Sequence, residues 1–141
     1  MQTQPSSYTL STTVARAYDV TVDAVRAALE EQGFGVLTEI DLAATLKAKL
    51  DVVIAPQVIL GACRPPLAYA ALEADPSIGA LLPCNVVVRS LTDSTTRVEA
   101  LDPDTMTSLS GSSALLEVAT DARQRLVAAL ASLSGTPVAA G

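Results

Sequence analysis

Apolar and polar positions alternate near the start of the chain. Between Tyr8 and Tyr18 this alternation has a period of two, which is typical of a strand with one buried face. The segment therefore predicts a first strand. The residues of its buried face are Tyr8, Leu10, Thr12 and Val14.

A helical spacing of apolar residues follows. Thr21 is the expected N-cap of this first helix, Asp23 suits its positive end, and Gly33 supplies its stop. The apolar stripe of the helix consists of Val22, Val25 and Leu29.

The next segments change again from strand to helix. Phe34 to Ile40 predicts a second strand, after which Asp41 is the expected cap of a short helix. Pro56 has no N–H to donate to a ladder, so a third strand is predicted at about Gln57 to Cys63. The apolar side of the short helix consists of Leu42, Leu46 and Leu50.

Prolines mark the segment after the third strand. Because proline is tolerated in a first helical turn, a helix is predicted from about Pro65 to Ala74, closed by Asp75-Pro76. Ser77 to Pro83 is expected to be less regular.

The second half of the chain predicts a hairpin and a long helix. Asn85 to Leu91 and Thr95 to Leu101 are β-rich runs separated by turn-prone residues. Beyond Asp102-Pro103 a polar stretch reaches Ser113, and its serine run from Ser108 to Ser113 is expected to be a flexible approach to the final helix. The stripe of that helix consists of Leu115, Val118, Ala122, Leu126, Ala129 and Leu133.

This order of elements predicts an α+β fold. We expect a two-layer sandwich, with a mainly antiparallel sheet of about five strands and helices packed on one face. The chain has no internal repeat and no long linker, so residues 1–141 are expected to form a single domain. Its ordered core is predicted at about residues 8–134, with frayed ends.

Composition narrows the classes of partner. Half of the residues are hydrophobic and the net charge is -6. Nucleic acid and anionic membranes would need clustered Lys and Arg, so we expect neither as a partner. No apolar run approaches the roughly 18 residues of a membrane span, and Met1 to Ser7 lacks the features of a signal peptide. We therefore expect a cytoplasmic protein.

The chain lacks the residues that several common catalytic and ligand-binding sites require. The chain contains two cysteines and no histidine, which removes the commonest metal ligand and the usual general base at neutral pH. No glycine pattern matches a phosphate loop or a dinucleotide fingerprint. We expect no metal and no cofactor.

Two segments resemble a known family. They are GFGVLTEIDLAATLKAKL, from Gly33 to Leu50, and ILGACRPPLAYAALEADPSIGALLPCNVVV, from Ile59 to Val88. Both are similar to the prokaryotic family called domain of unknown function 302, over roughly Val14 to Leu133. The resemblance implies an antiparallel α+β fold similar to TATA-binding-protein-like folds, and a homodimer, but no reaction. Arg64 departs from the family, which more often has Asn there.

The two cysteines form the candidate site. Cys63 ends a strand before a predicted helix N-terminus and beside Arg64, and both features favour a thiolate. If the strands of Cys63 and Cys84 are antiparallel neighbours, as the resemblance implies, the sulfurs lie within about 10 Å at one edge of the sheet. Cys63 is then expected to be the more nucleophilic. The simpler interpretation is that both cysteines are small packing residues.

Polar residues near these elements are candidate ligand-binding groups. Glu39 and Asp41 share a face of their strand, which suits acid-base work or cation binding, although helix capping also explains Asp41. Lys47 is expected to be exposed and to pair with a nearby carboxylate. The candidate ligand-binding residues are Arg64, Asn85, Glu39 and Lys47.

Three hypotheses for function follow. The leading one is a homodimeric small-ligand-binding or accessory domain with its site near Cys63 and Cys84. The alternative is a small thiol-dependent redox enzyme, in which Cys63 attacks and Cys84 resolves a mixed disulfide. The third is a structural dimerisation module, so whether the protein is an enzyme is left open. The apolar stretch from Asp51 to Val58 favours the dimer, because one edge strand should not leave it exposed.

Overall fold

An antiparallel sheet of six strands forms one layer of the structure. The computed structural model describes residues 8–134 and the backbone of residues 139–140. The order across the sheet is β2-β3-β4-β5-β1-β6. The strands are β1 (Thr9–Val14), β2 (Gly35–Asp41), β3 (Gln57–Cys63), β4 (Cys84–Thr92), β5 (Thr95–Leu101) and β6 (Ala139–Ala140).

Helices form the second layer. The two longest helices pack against each other and on the sheet. The predicted α+β architecture is therefore confirmed. The helices are α1 (Tyr18–Glu31), α2 (Leu42–Leu50), α3 (Pro65–Ala74), α4 (Asp104–Ser110) and α5 (Leu116–Ser134), with 3-10 helices at Pro76–Leu81 and Ser113–Leu115.

Alternation along the strands builds the main core. Successive side chains point to opposite faces of a sheet, so Leu60 of β3 is fully buried whereas its neighbour Ile59 is only partly so. Leu60 pairs with Val86 of β4, which is also fully buried. The helical side of this core consists of Val25, Ala28 and Leu29 of α1 and Leu126, Ala129, Leu130 and Leu133 of α5.

The opposite face of the sheet carries polar side chains. Arg89 of β4 donates to Glu99 of β5 over 3.0 Å. Arg97 donates to Thr13 over 3.0 Å and to Ser11 over 2.9 Å, both on β1. This face of the sheet is therefore polar, and the helices pack on the opposite, apolar face.

The start of α1 lies three residues before its predicted cap. The N-cap is Ala17, and Thr21 is a fully buried residue inside the helix. The Thr21 hydroxyl donates to the Ala17 carbonyl over 2.8 Å. Because a threonine hydroxyl can bond back to the carbonyl four residues earlier, a sequence pattern can mistake it for a cap. The prediction of Thr21 as N-cap is therefore wrong.

The end of α1 follows the prediction. Gly33 has a φ of 85° and stops the helix. Its N–H donates to the Glu30 carbonyl over 2.9 Å, while the Phe34 N–H donates to the Leu29 carbonyl over 3.0 Å. This pair of bonds is a Schellman motif, which turns the chain so that Phe34 enters the core.

The predicted cap of α2 is also confirmed. The Asp41 carboxylate accepts the Ala44 N–H over 2.9 Å. In contrast to α1 and α5, α2 has no buried residue. This helix therefore leaves apolar side chains at the surface beside the edge strand β2.

A second, smaller core holds α3 to α5. The polar stretch after Pro103, for which no helix was predicted, contains α4, whose Met106 is buried. The 3-10 helix at Pro76–Leu81 contributes the buried Ile78. The buried residues of this second core are Ala71, Ile78, Met106, Leu115 and Ala119. The cluster closes the end of the sheet at which β3 stops and β4 starts.

The expectation of frayed ends concerns residues before 8 and after 134. Residues 1–7, 135–138 and 141 lie outside the described residues. Within the tail, Ala139–Ala140 pairs with Leu10 and Ser11 of β1 as the short strand β6.

Candidate functional site

A small cavity lies where β3 ends and β4 begins. Its interior volume is about 30 Å³, roughly the room of two water-sized spheres. The sheet and the second core form its walls, which are largely apolar. Its lining residues include Ala62, Cys63, Arg64, Leu82, Cys84 and Met106.

Cys84 belongs to the buried wall of this cavity. It opens β4 opposite Ala62 and is 8% exposed. Burial, and to a lesser extent the charge of Cys63, raise the pKa of the Cys84 thiol to about 11. At neutral pH the thiol is therefore protonated, which makes it a poor nucleophile and a weak hydrogen-bond donor.

Cys63 ends β3 and is only partly buried. The partner of Cys84 across the ladder is Ala62, one residue before Cys63. Because neighbouring residues of a strand point to opposite faces, the residue that faces Cys84 across the ladder is Ala62 and not Cys63. The expectation of antiparallel neighbouring strands is confirmed, but the expected close cysteine pair is wrong, and both thiols are free.

The helix that follows Cys63 offers little help to a thiolate. Pro65 and Pro66 occupy its first two positions and have no N–H. The next two amides, those of Leu67 and Ala68, both donate to the Arg64 carbonyl over 3.0 Å. The amide donors expected at a helix N-terminus are thus missing or already used. Of the two features expected to favour a Cys63 thiolate, only the neighbouring Arg64 is left.

Arg64 is the charged residue of the cavity wall. It is the N-cap of α3, but its side chain makes no capping bond. The Nε atom is buried and has no hydrogen-bond partner among the described residues. Its side chain crosses Gly33, where an added Cβ would lie 2.9 Å from Nε. A buried guanidinium nitrogen without an acceptor is costly, and it is the most informative polar feature of the site.

The other candidate residues lie elsewhere. Glu39 forms an ion pair with Arg26 of α1, and Lys47 pairs with Asp51, four residues later. Asn85 is exposed, and alternation along β4 places it on the face opposite Cys84. The structure thus brings Cys63, Arg64 and Cys84 to one cavity but does not bring Glu39, Lys47 or Asn85 there. The pairing of Lys47 with a nearby carboxylate is confirmed.

Sequence reasoning missed the far wall of the cavity. Met106 comes from α4, within a polar stretch for which no helix was predicted, and Val118 and Ala122 come from the stripe of α5. The stripe marked Val118 and Ala122 as buried, but no signal in it showed which part of the sheet they face. The residues around Met106 are polar, which concealed the helix.

The burial of Cys84 gives a testable order of thiol reactivity. In a Cys63→Ser variant, Cys84 is expected to react with iodoacetamide at pH 8 at least roughly 100-fold more slowly than in the unfolded chain. The reason is that its pKa rises from 9.0 to about 11, which lowers the thiolate fraction by about two powers of ten.

The pH dependence of the protein's stability tests the same rise in the pKa of Cys84. A raised folded-state pKa means that the folded protein holds the Cys84 proton more tightly. This contribution to stability is present below pH 9.0 and is lost as the pH rises to about 11. A Cys84→Ala variant, compared by chemical denaturation, should lack this loss.

Equal alkylation rates of Cys84 in the folded and unfolded chains would contradict the assigned burial.

Neither a metal-binding cluster nor a membrane-spanning helix is found within residues 8–134. No group of three or more Cys, Asp or Glu side chains in this range is placed to hold a metal ion. No helix in the same range combines the length and apolar character needed to cross a membrane.

Comparisons with known proteins agree with the fold. The family profile described as domain of unknown function DUF302 matches residues 10–133. A similar solved structure is that of an uncharacterised conserved DUF302 protein from Bacillus stearothermophilus, at 28% identity and a TM-score of 0.83. The alignment covers 91% of this chain and 99% of that one. A comparison with curated proteins gives no match. The resemblance drawn from the sequence is therefore confirmed.

Proposed function

Because the chain belongs to the DUF302 family, whose name assigns no reaction, we propose from the geometry of the site that it is a homodimeric small-ligand-binding or accessory domain. The ligand site is the cavity beside Cys63, Arg64 and Cys84. Two free cysteines suit a reducing compartment, which supports placing the protein in the cytoplasm.

The apolar cavity beside the charged side chain of Arg64 carries this proposal. Ligand sites are concave, mostly apolar and supplied with a few polar groups that fix orientation. The cavity combines a largely apolar wall with the partly buried side chain of Arg64, whose Nε atom finds no acceptor within residues 8–134. A purely structural dimerisation module would gain nothing from burying that nitrogen, because an unsatisfied buried donor lowers stability.

The thiol-dependent enzyme is less well supported than a binding domain. Such an enzyme needs Cys84 as a thiolate that reaches a mixed disulfide at Cys63. The pKa of Cys84 is raised to about 11 by burial, and its ladder partner is Ala62. A role for Cys63 alone, as a contact for the ligand, stays within the proposal.

A substitution that fills the cavity tests the ligand site. Ala68→Val adds two carbon atoms at the wall, whereas Ala70→Val makes the same change on an exposed position of the same helix. Propionate, propionamide and 1-propanol serve as probes, with binding followed by NMR titration. We expect at least one probe to bind the parent and Ala70→Val but not Ala68→Val. Binding of no probe to the parent, or equal binding to both variants, would contradict the proposal.

An exposed apolar surface around β2 and α2 supports the dimer. Leu37, Leu50 and Val53 are 66%, 65% and 82% exposed, and β2 is an edge strand of the sheet. Large exposed apolar patches mark interaction sites, and an unpaired strand edge adds free backbone donors and acceptors.

We expect light scattering to report about twice the chain mass of 14.5 kDa. A Leu50→Glu/Val53→Glu variant should scatter as a monomer, because the charges would be buried in the interface. Leu109→Glu is the matched control, since Leu109 is 72% exposed on α4, outside this surface. A monomeric parent at all micromolar concentrations would refute the dimer.

A further inference from the structure

The open face of the sheet, which is the side opposite α1 and α5, bears a row of apolar side chains. Ile40 of β2 pairs with Ile59 of β3, and Ile59 pairs with Val87 of β4. Val87 pairs in turn with Glu99 of β5, and partners across a ladder share a face. Ile40 is 46% exposed, and Ile59 and Val87 are partly exposed. The row therefore presents apolar surface across three neighbouring strands.

This row adjoins the exposed apolar surface around β2 and α2. Ile40 stands two residues before Leu42, at which α2 begins. The few exposed side chains of that surface are too small for a stable interface, which buries about 800 Å² on each partner. At about 4.8 Å between strands and about 3.3 Å per residue, strands β1 to β5 form an open face of roughly 24 Å by 23 Å. The open face thus supplies most of the area that a stable dimer needs.

The distribution of charge favours a second copy of the chain as the partner. The chain has a net charge of -6, so two copies repel each other wherever their surfaces are acidic. In strands β1 to β5, the charged residues of the open face are two positive side chains, Arg89 and Arg97, and one negative, Glu99. Two copies can therefore approach through this face without acidic repulsion, whereas α1 on the other side exposes four carboxylates. These belong to Asp19, Asp23, Glu30 and Glu31.

A second copy can also cover the charged groups without separating them from their partners. Arg89 donates to Glu99 over 3.0 Å, and Arg97 donates to Ser11 and Thr13 over 2.9 and 3.0 Å. Buried charges are tolerated when they are paired and hydrogen-bonded. A twofold interface joins the same patch on both copies, so the patch must be complementary to itself. The open face meets this condition because it carries both signs of charge beside an apolar row.

On the premise of the proposed homodimer, we infer that its two copies meet through their open faces. The two sheets stack about 10 Å apart, with both apolar rows inside the interface and the helices of each copy outside. Asn85 lies two residues before Val87 on β4 and therefore on the same face. In this assembly the Asn85 carboxamide lies at the contact between the copies.

Methyl groups test this interface in the parent protein without any substitution. A soluble paramagnetic agent broadens the NMR signals of the methyl groups that it reaches. At a concentration at which light scattering reports a dimer, Ile40 and Ile59 should be broadened as little as Ile78, which is 1% exposed. Leu109, which is 72% exposed on α4, should stay strongly broadened.

Ile59→Thr is the corresponding variant. Threonine keeps the β-branched shape that suits a strand but removes apolar surface from the middle of the row. The Kd of the dimer should rise at least roughly tenfold, as is typical of a central interface residue. Val20→Thr makes a similar change at a position of α1 that is 56% exposed, and should leave this Kd unchanged.

The outcomes separate the open-face interface from the homodimer itself. A dimer in which Ile40 and Ile59 are broadened like Leu109 would overturn the open-face interface while leaving the homodimer, and so would an unchanged Kd for Ile59→Thr. A monomeric parent at all micromolar concentrations would refute both. If Ile59→Thr does not fold, the broadening measured in the parent decides.

Discussion

Replacement of Leu126 by alanine is expected to lower the free energy of unfolding by about 2 to 5 kcal/mol, the usual range for a buried leucine. Leu126 is fully buried in the middle of α5 and belongs to the main core. The lost side chain would leave a cavity between α5 and the sheet, because backbone on both sides is held by regular hydrogen bonds and can relax only in part.

Chemical denaturation of the parent and the variant measures this loss. Leu116→Ala is the matched control, because Leu116 begins the same helix but is 56% exposed. A change of that kind at the surface typically alters stability by at most about 0.5 kcal/mol. If Leu126→Ala melted at the temperature of the parent, the buried face of α5 would be misassigned.

Substitution of Gly61 by alanine should destabilise the sheet by about 1 to 3 kcal/mol, because overpacking forces neighbouring atoms to move. Gly61 lies in β3 between its partners on β2 and β4. A Cβ at this position would overlap Thr38 Oγ1 and lie 2.9 Å from Pro83 Cγ. A flexible side chain could swing aside, but the proline ring is held by its backbone.

Two further variants identify the overlap as the cause. Gly35→Ala is the control, since the nearest atom to its Cβ is 3.9 Å away, and its effect should be small. Adding Thr38→Ala to Gly61→Ala should recover part of the loss, so that the two changes are not additive. Full additivity in denaturant titrations would show that Thr38 does not collide with the new methyl group.

Local chemistry made much of the fold predictable. The bounds of β3 follow from Pro56, which cannot join a ladder, and α3 begins at Pro65 because proline is tolerated there. The stop at Gly33 needs only the left-handed conformation that glycine adopts readily. Each of these predictions depends on one residue and its own backbone.

Predictions that depended on distant residues failed more often. Thr21 resembles a cap until the burial of its side chain is known, and that burial comes from packing against the core. The helix α4 is polar in sequence and is stabilised through Met106, which packs with Ile78 and Leu115 in the second core. Tertiary packing, which a local pattern does not contain, decided both cases.

The candidate site shows the same difference between features that depend on local sequence and features that depend on tertiary packing. The family resemblance correctly implied that Cys63 and Cys84 lie on neighbouring antiparallel strands, but the register pairs Cys84 with Ala62 instead of Cys63. The sequence marked Arg64 as a departure from the family, as a charged neighbour of Cys63 and as a candidate ligand-binding residue. Its importance emerged from the buried Nε and from the contact with Gly33, both of which require three-dimensional coordinates.

The position of β1 beside β5 also has a consequence for synthesis of the protein. Thr9 pairs with Leu101, and the Thr96 hydroxyl donates to the Arg16 carbonyl over 2.9 Å, across 80 residues of chain. A ribosome that adds about 5 to 20 residues per second needs about 4 to 16 s to make those 80 residues. Until then the first strand has no strand on its β5 side, and α1 has only part of its sheet to cover. Completion of the sheet therefore follows the emergence of β5 from the exit tunnel, and nascent chains that stall earlier should be substrates for chaperones.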